Sequence, residues 1–343
     1  MDYDFPNGEI DRSQPHQAGT RGAQDLDKLC QQLIDAGRPT FVVLDGAKFS
    51  DLPNALLRNR LLNRPLYVDR GGQIRDFDLT SPQMIYLDRS RDDGPENGDG
   101  PCKPRILSAV SELMEDCSAG VFWSCSNGGD TLFRHLRKIN RVRVEAGHLP
   151  ATHETHVDGS QDDILLFRHA DANVMAQILP VLPERERERL MGPAEEINFV
   201  PDVVWSIGHS HHFTSINPRR SAPSGGMLRF NGTIMDAIET RRSVGVIRYL
   251  IVACSAHLEK FGQDYKELII AAYHRGVNYG LETLEDLETF ALTECEYGPR
   301  FELRPGHEEA EYMLARSSKS PAERVYYARR ACVDAASHLE MQR

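Results

Sequence analysis

The sequence predicts an α/β N-terminal domain, a mixed sheet flanked by helices, followed by an all-α C-terminal lobe. Three observations carry this. Thr40-Phe41-Val42-Val43-Leu44-Asp45-Gly46-Ala47 is apolar on both faces, as a central strand of a helix-covered sheet would be. Similar short runs alternate with stretches of helical periodicity as far as Ile207. Beyond the Pro/Ser/Gly-rich segment Asn217–Gly226, every remaining pattern is helical. The expected divisions are a disordered arm (1–24), the α/β domain (25–215), a linker (216–227) and the helical lobe (228–343).

In order, Leu26, Leu29, Cys30, Leu33 and Ile34 mark an amphipathic helix from Asp25, ended by Gly37 and Pro39. The strand at Thr40 follows. Asp51 and Pro53 open a helix through Leu62, and Leu66-Tyr67-Val68 and Met84-Ile85-Tyr86-Leu87 read as strands. Asp88–Pro104 is a polar loop, and Pro104 suits the first turn of a helix carrying Ile106, Leu107, Val110, Leu113 and Met114.

Gly120–Pro193 is the stretch around which the chain is organised. It begins with the strand Gly120–Cys125 and the turn Ser126-Asn127-Gly128-Gly129. Leu132, Phe133, Leu136 and Ile139 then form the apolar stripe of a helix, with Arg134, Arg137, Lys138 and Arg141 on its other side. After a loop (Glu145–Asp162) come the strand Asp163–Arg168, a short helix opened by Asp171, and the charged helix Glu184–Arg189, read as exposed. Glu196–Val200 and Val203–Ile207 read as closing strands. In the lobe, Val244, Ile247, Ile251, Cys254, Leu258 and Phe261 mark a long helix. Thr283-Leu284-Glu285-Asp286 and Ser320-Pro321-Ala322-Glu323 match capping boxes.

Composition narrows the function classes. With 343 residues, 40% hydrophobic and 27% charged, the chain matches an ordinary soluble protein long enough for two domains. A net charge of -11 argues against nucleic acid as the main partner. The seven cysteines are scattered and form no C-x-x-C pair, which points away from a zinc ribbon or thioredoxin-like site and fits a reducing cytoplasm. The N-terminus lacks the basic head and apolar run of a signal peptide, and Val244–Leu258 is too short to span a bilayer. A cytoplasmic location without membrane association is expected.

Candidate chemistry is sparse. His148, His153 and His156, with Glu154 and Asp158, crowd one polar loop, and His209, His211 and His212 form a second group. Neither has the spacing on a regular element that orients metal ligands, so no bound metal or cofactor is expected. Ser124 and Ser126 follow a strand but lack the G-x-S-x-G glycines of a nucleophile elbow. Gly128-Gly129 has no Walker lysine and reads as a turn. The basic stripe is either a solvated helix face or a contact for an acidic partner, since Arg pairs well with carboxylates.

The order of motifs resembles the adaptor, or effector-chaperone, proteins of the bacterial type VI secretion system, which share a domain of unknown function. Phe41–Ala47 looks like that family's opening strand ending in Asp-Gly-Ala. Gly120–Ser124 with Leu132–Arg137 resembles its strand and His-Leu-Arg helix. Leu166-Phe167-Arg168 with Asp171 and Val174 matches in part its Leu-Phe-Arg-(aromatic)-(aromatic)-Asp-Pro motif, and Leu179-Pro180 and Met191-Gly192-Pro193 its later ones. His169 and Ala170 stand where the family prefers aromatics, Ala172 replaces its proline, and the Glu145–Asp162 loop is longer than usual. The likeness covers about residues 40–195, and the helical tail is similar to that of many members.

The resemblance implies a non-enzymatic adaptor that holds a toxic effector and loads it onto the secretion spike, a trimer of valine-glycine-repeat protein. Its partners would be those two proteins, with Arg134, Arg137, Lys138 and Arg141 as the candidate contact. The alternatives are a metal-dependent hydrolase using the histidine loops and, more weakly supported, a nucleic-acid-binding protein using the basic helix.

Overall fold

The computed structural model describes residues 17–67, 80–93, 99–114, 117–145, 147–148, 162–205, 213–216, 226–258, 265–316 and 318–341. These divide into two compact units, with the boundary between Arg241 and Arg242. The fold class is the expected one, a sheet-and-helix unit and then a helical one.

The first unit is built on six strands: β1 (Thr40–Leu44), β2 (Leu61–Pro65), β3 (Gln83–Ser90), β4 (Gly120–Ser124), β7 (Glu196–Phe199) and β8 (Phe213–Ile216). Their order is β2-β3-β1-β4-β7-β8, and every pairing is antiparallel. A second sheet is ordered β6-β5-β9, from β5 (Arg141–Glu145), β6 (Asp162–Leu166) and β9 (Leu228–Phe230). The β5–β9 pairing is parallel, which makes this smaller sheet the mixed one.

The two-faced apolar character of β1 has a direct cause. Side chains alternate across a strand, so Phe41 and Val43 enter one core and Val42 and Leu44 another. On one face, Val42, Leu44, Ile85 and Phe122 meet Leu26, Leu29 and Leu33 of α1 (Gln17–Ala36), Leu52 and Leu56 of α2 (Leu52–Arg58), and Ile106, Leu107 and Val110 of α3 (Pro104–Leu113). On the other, Phe41, Val43, Trp123 and Phe199 meet α4 (Gly129–Leu136), α5 (Ala172–Ile178), α6 (Glu184–Met191) and the buried side of the smaller sheet. Burying each large apolar side chain contributes about 1.5–3 kcal/mol. An antiparallel sheet is thus covered on both sides, and its central strands lose the polar-out alternation.

Several boundaries differ from expectation. Helix α1 begins at Gln17, so residues 17–24 of the expected arm are helical, while 1–16 lie outside the described residues. No apolar period marks its first turns, which is why the pattern starts at Leu26. The helix expected through Leu62 ends at Arg58, and Arg60, with φ +54°, turns the chain into β2, so Leu66 and Tyr67 follow a strand rather than form one. Val203–Trp205 is a short 3-10 turn instead of a strand. Positions 217–225 of the expected linker lie outside the described residues, and β9 opens the stretch expected to be wholly helical.

The unit boundary falls within α7 (Gly232–Ala253). The second unit continues with α8 (Ser255–Leu258), α9 (Tyr265–Asn278), α10 (Leu284–Tyr297), α11 (Glu308–Ala315) and α12 (Pro321–Met341). Both expected caps are present. Asp286 N donates to Thr283 Oγ1 at 3.1 Å. Ser320 and Glu323 reciprocate, Glu323 N to Ser320 Oγ at 3.3 Å and Ser320 N to Glu323 Oε2 at 3.0 Å. Phe290 and Phe301 pack at 5.2 Å in this unit's core. Beside them Arg275 bridges two buried carboxylates, donating to Glu294 and, through Nε at 3.0 Å, to Glu302. No helix of the described residues is long and apolar enough to cross a membrane.

Candidate functional site

Two junctions in the first unit gather residues from distant motifs. The first is polar. Asp45, at the end of β1, is 2% exposed and accepts from Ala47 N at 3.2 Å, capping the 3-10 turn Gly46–Lys48. Arg168, two residues past β6, donates through Nε to Asp45 Oδ2 at 3.1 Å, and its Nη2 contacts the same oxygen. Arg168 Nη2 also lies 3.3 Å from Asp171 Oδ2. Asp171 caps α5, accepting from Asn173 N at 2.9 Å, and faces Lys48 Nζ at 3.6 Å. Lys48 donates to Ser118 Oγ. Asn173 extends the network to Asp202, donating from Nδ2 at 2.5 Å and accepting from Asp202 N at 2.8 Å.

Charge alternates through this chain of groups: Asp45, Arg168, Asp171, Lys48. That arrangement satisfies buried carboxylates, which are costly when left unpaired. The Tyr67 hydroxyl is pushed up to about 12, first by burial and then by the Asp45 carboxylate, with Arg168 opposing. Gly46 is needed for close approach: a Cβ there would lie 2.6 Å from the Ser81 carbonyl oxygen.

The second junction is built on histidine. His135, in α4, donates from Nε2 to the Leu190 carbonyl at 2.9 Å, and burial holds its pKa below the ordinary range. Its ring packs on Gly192, whose φ is +56° and where a Cβ would lie 2.2 Å from His135 Cε1. Only glycine meets both demands at low cost. His169 is fully buried, with Trp123 at 6.1 Å and Phe167 at 6.2 Å. Burial, and secondly His135, lowers it to about 3. A neutral imidazole thus packs here as an aromatic ring against Trp123 and Phe167.

The basic stripe is arranged differently from the sequence expectation. Helix α4 ends at Leu136, so of the four residues only Arg134 is helical; Arg137 is the C-cap, Lys138 follows it, and Arg141 opens β5. The Lys138 and Ile139 amides both donate to the His135 carbonyl, at 2.8 and 3.3 Å, which closes the turn. Val142 and Val144 then alternate with exposed Arg141, Arg143 and Glu145 as a half-buried strand. All four remain exposed cations. Arg134 Nε donates to the Asp130 carbonyl at 3.2 Å, and the Arg137 guanidinium lies 5.7 Å from the Phe133 ring centre.

Of the other candidates, Ser124 and Gly129 make contacts that join neighbouring elements. Ser124 shares a 2.9 Å hydrogen bond with Thr40, its partner across β1 and β4. The Gly129 amide donates to Asp99 Oδ1 at 3.0 Å. Helix α6 is not wholly exposed: Glu186 is buried, binds Arg189 at 2.6 Å and accepts from Arg229 N at 3.1 Å. His148 lies 3.9 Å from Asp236, whereas His153, Glu154, His156, Asp158, His209, His211 and His212 lie outside the described residues. Among the described residues, no group of three or more His, Cys, Asp or Glu is arranged to hold a metal ion.

Sequence reasoning singled out Asp45, Arg168 and Asp171 as motif letters but missed their common site, and it missed Lys48, Ser118, Asn173 and Asp202 entirely. Such residues carry no periodic signal, because their partners come from other elements.

No family model, no curated protein and no solved structure matches this chain.

Proposed function

We propose that this protein is a non-enzymatic cytoplasmic adaptor that binds a toxic effector and loads it onto a type VI secretion spike. One observation supports the reading above the others: the motifs behind the resemblance meet pairwise in space. Asp45 of Asp-Gly-Ala binds Arg168 of Leu-Phe-Arg, and His135 of His-Leu-Arg packs on Gly192 of Met-Gly-Pro. Such motifs define a shared scaffold rather than a reaction centre, since their polar groups serve to join elements. The work then falls to surfaces, and the exposed cations from Arg134 to Arg141 suit an acidic partner in a chain whose own net charge is -11.

The test is co-expression with the toxin and the valine-glycine-repeat spike of the same secretion locus. Stoichiometric recovery of either with the full chain is the expected result. Recovery of neither overturns the reading.

A further inference from the structure

Strand β6 is an edge: among the described residues it pairs only with β5. Phe167 N donates to the Asn140 carbonyl at 2.9 Å, which fixes the alternation of the ladder. In an antiparallel pair, hydrogen-bonded and non-bonded positions alternate. Asp163 and Leu165 therefore turn their backbone groups toward β5, and Ile164 and Leu166 turn theirs outward. The side chains of those same two residues are 54% and 63% exposed. Folded proteins usually blunt such an edge with charges, proline or a covering element.

On the exposed face the charge beside this edge is mainly basic, although β6 itself opens with Asp162 and Asp163. Residues 131–144 contain Arg134, Arg137, Lys138, Arg141 and Arg143 and no Asp or Glu. Arg141 is paired across the strands with Leu166, and Arg143 with Ile164, so these arginines share the exposed apolar face. Among the described residues, the two acidic groups at the start of that face, Asp162 and Glu145, are engaged. Asp162 lies 2.8 Å from Arg229 and 3.6 Å from Arg143, and Glu145 Oε2 accepts from Gly232 N at 2.9 Å.

We propose that β6 is a docking edge to which an extended acidic and apolar segment of a partner protein adds as a further strand. Backbone hydrogen bonds to Ile164 and Leu166 provide the affinity, and apolar side chains opposite those two cover the exposed patch. Glutamates on the incoming strand face the arginines of β5. They are two strand spacings, about 10 Å, away, a gap that two long side chains close together. The partner's identity as effector or spike rests on the function proposed above; the edge itself does not.

The test uses the full chain and two blocked peptides of about ten residues, the upper end of strand length; threonine fills every other position, and the alternate positions, which share one face, read Glu-Val-Val-Glu in the Glu/Val peptide and Lys-Val-Val-Lys in the Lys/Val peptide. Amide exchange is read residue by residue. The Glu/Val peptide is expected to protect the amides of Ile164 and Leu166, and the Lys/Val peptide to leave them unprotected. Ile164→Pro removes an outward donor without touching the ladder to β5, and should weaken binding by about tenfold. Leu166→Lys is the second variant, should proline disturb the strand, and should also weaken it.

Equal protection by both peptides, protection confined to other amides, or unchanged binding by both variants overturns the proposal. The two readings fail separately. Peptide binding at β6 without capture of toxin or spike removes the adaptor function and keeps the edge. Capture of toxin that neither variant weakens, with no peptide protection, removes the edge and keeps the adaptor.

Discussion

Arg168 reaches the carboxylate of Asp45 at 3.1 Å across 123 positions of sequence. Asp45 directly follows the central strand β1, and Arg168 follows β6 of the smaller sheet, so one ion pair ties the two sheets of the first unit together. Its energetic asymmetry follows from burial: Asp45 is enclosed, whereas the Arg168 side chain is 43% exposed. Losing the arginine strands a buried charge, while losing the aspartate leaves a guanidinium still able to reach water and Asp171.

Arg168→Met should therefore cost about 2–4 kcal/mol, toward the lower end for a broken buried pair because the guanidinium is partly solvated. Asp45→Asn combined with Arg168→Met should cost less than the sum of the single changes, as expected for groups in contact. Urea denaturation of the four proteins measures this. Additive losses contradict the coupling.

His169 gives the first unit an acid-sensitive limb. Burial holds its folded pKa at about 3, below the ordinary value of about 6.5 in an unfolded chain. As pH falls from about 6.5 toward 3, the unfolded chain takes up a proton that the folded chain refuses. The stability from this residue is thus complete above pH 6.5 and declines by about 1.4 kcal/mol per pH unit through that window. His169→Phe should remove about 2–3 kcal/mol of the loss between pH 7 and pH 4.5. The absolute stability at pH 7 also carries the strain of a larger ring, so the slope is what counts. An unchanged slope in urea titrations shows that the imidazole is not the source.

In the second unit, two carboxylates face one guanidinium, and burial raises the pKa of Glu294. Glu302→Gln should therefore cost little, because its Oε2 is buried without a hydrogen-bond partner among the described residues. Arg275→Met leaves both acids buried and should cost about 3–5 kcal/mol. Thermal melts of the two variants settle the order, and a Glu302→Gln loss as large as that of Arg275→Met contradicts it.

Much of this architecture was legible in the sequence, for physical reasons that also mark the limit. Strand β1 was visible because both faces are buried and every position from Thr40 to Leu44 is enclosed. The boxes at Thr283 and Ser320 were visible because capping is local. Strand β5 was missed although Arg-Val-Arg-Val-Glu alternates with period two, because the helical stripe of Leu132, Leu136 and Ile139 appeared to run on through it. Strand β9, three residues long, has too little length for a period. The junction of Asp45, Arg168, Asp171 and Lys48 depends on long-range pairing, which no spacing encodes.

The basic surface offers a kinetic prediction. Arg137→Glu with Arg141→Glu changes two exposed residues and should leave stability within about 0.5 kcal/mol. Binding to an acidic partner should lose on-rate and salt dependence more than it gains in off-rate. Leu136→Asp should unfold the first unit, because it removes a wholly buried leucine and places an unpaired charge in its core. Stopped-flow association at two salt concentrations is the measurement. Unchanged rates for the double reversal leave the arginines as a solvated surface.

The most direct test of the adaptor account is a three-component loading assay with purified full chain, toxin and valine-glycine-repeat spike. Toxin should join the spike in proportion to added chain, in stoichiometric amounts and without turnover. Loading that is equal in the absence of the chain, or a chain that binds neither protein, contradicts the account.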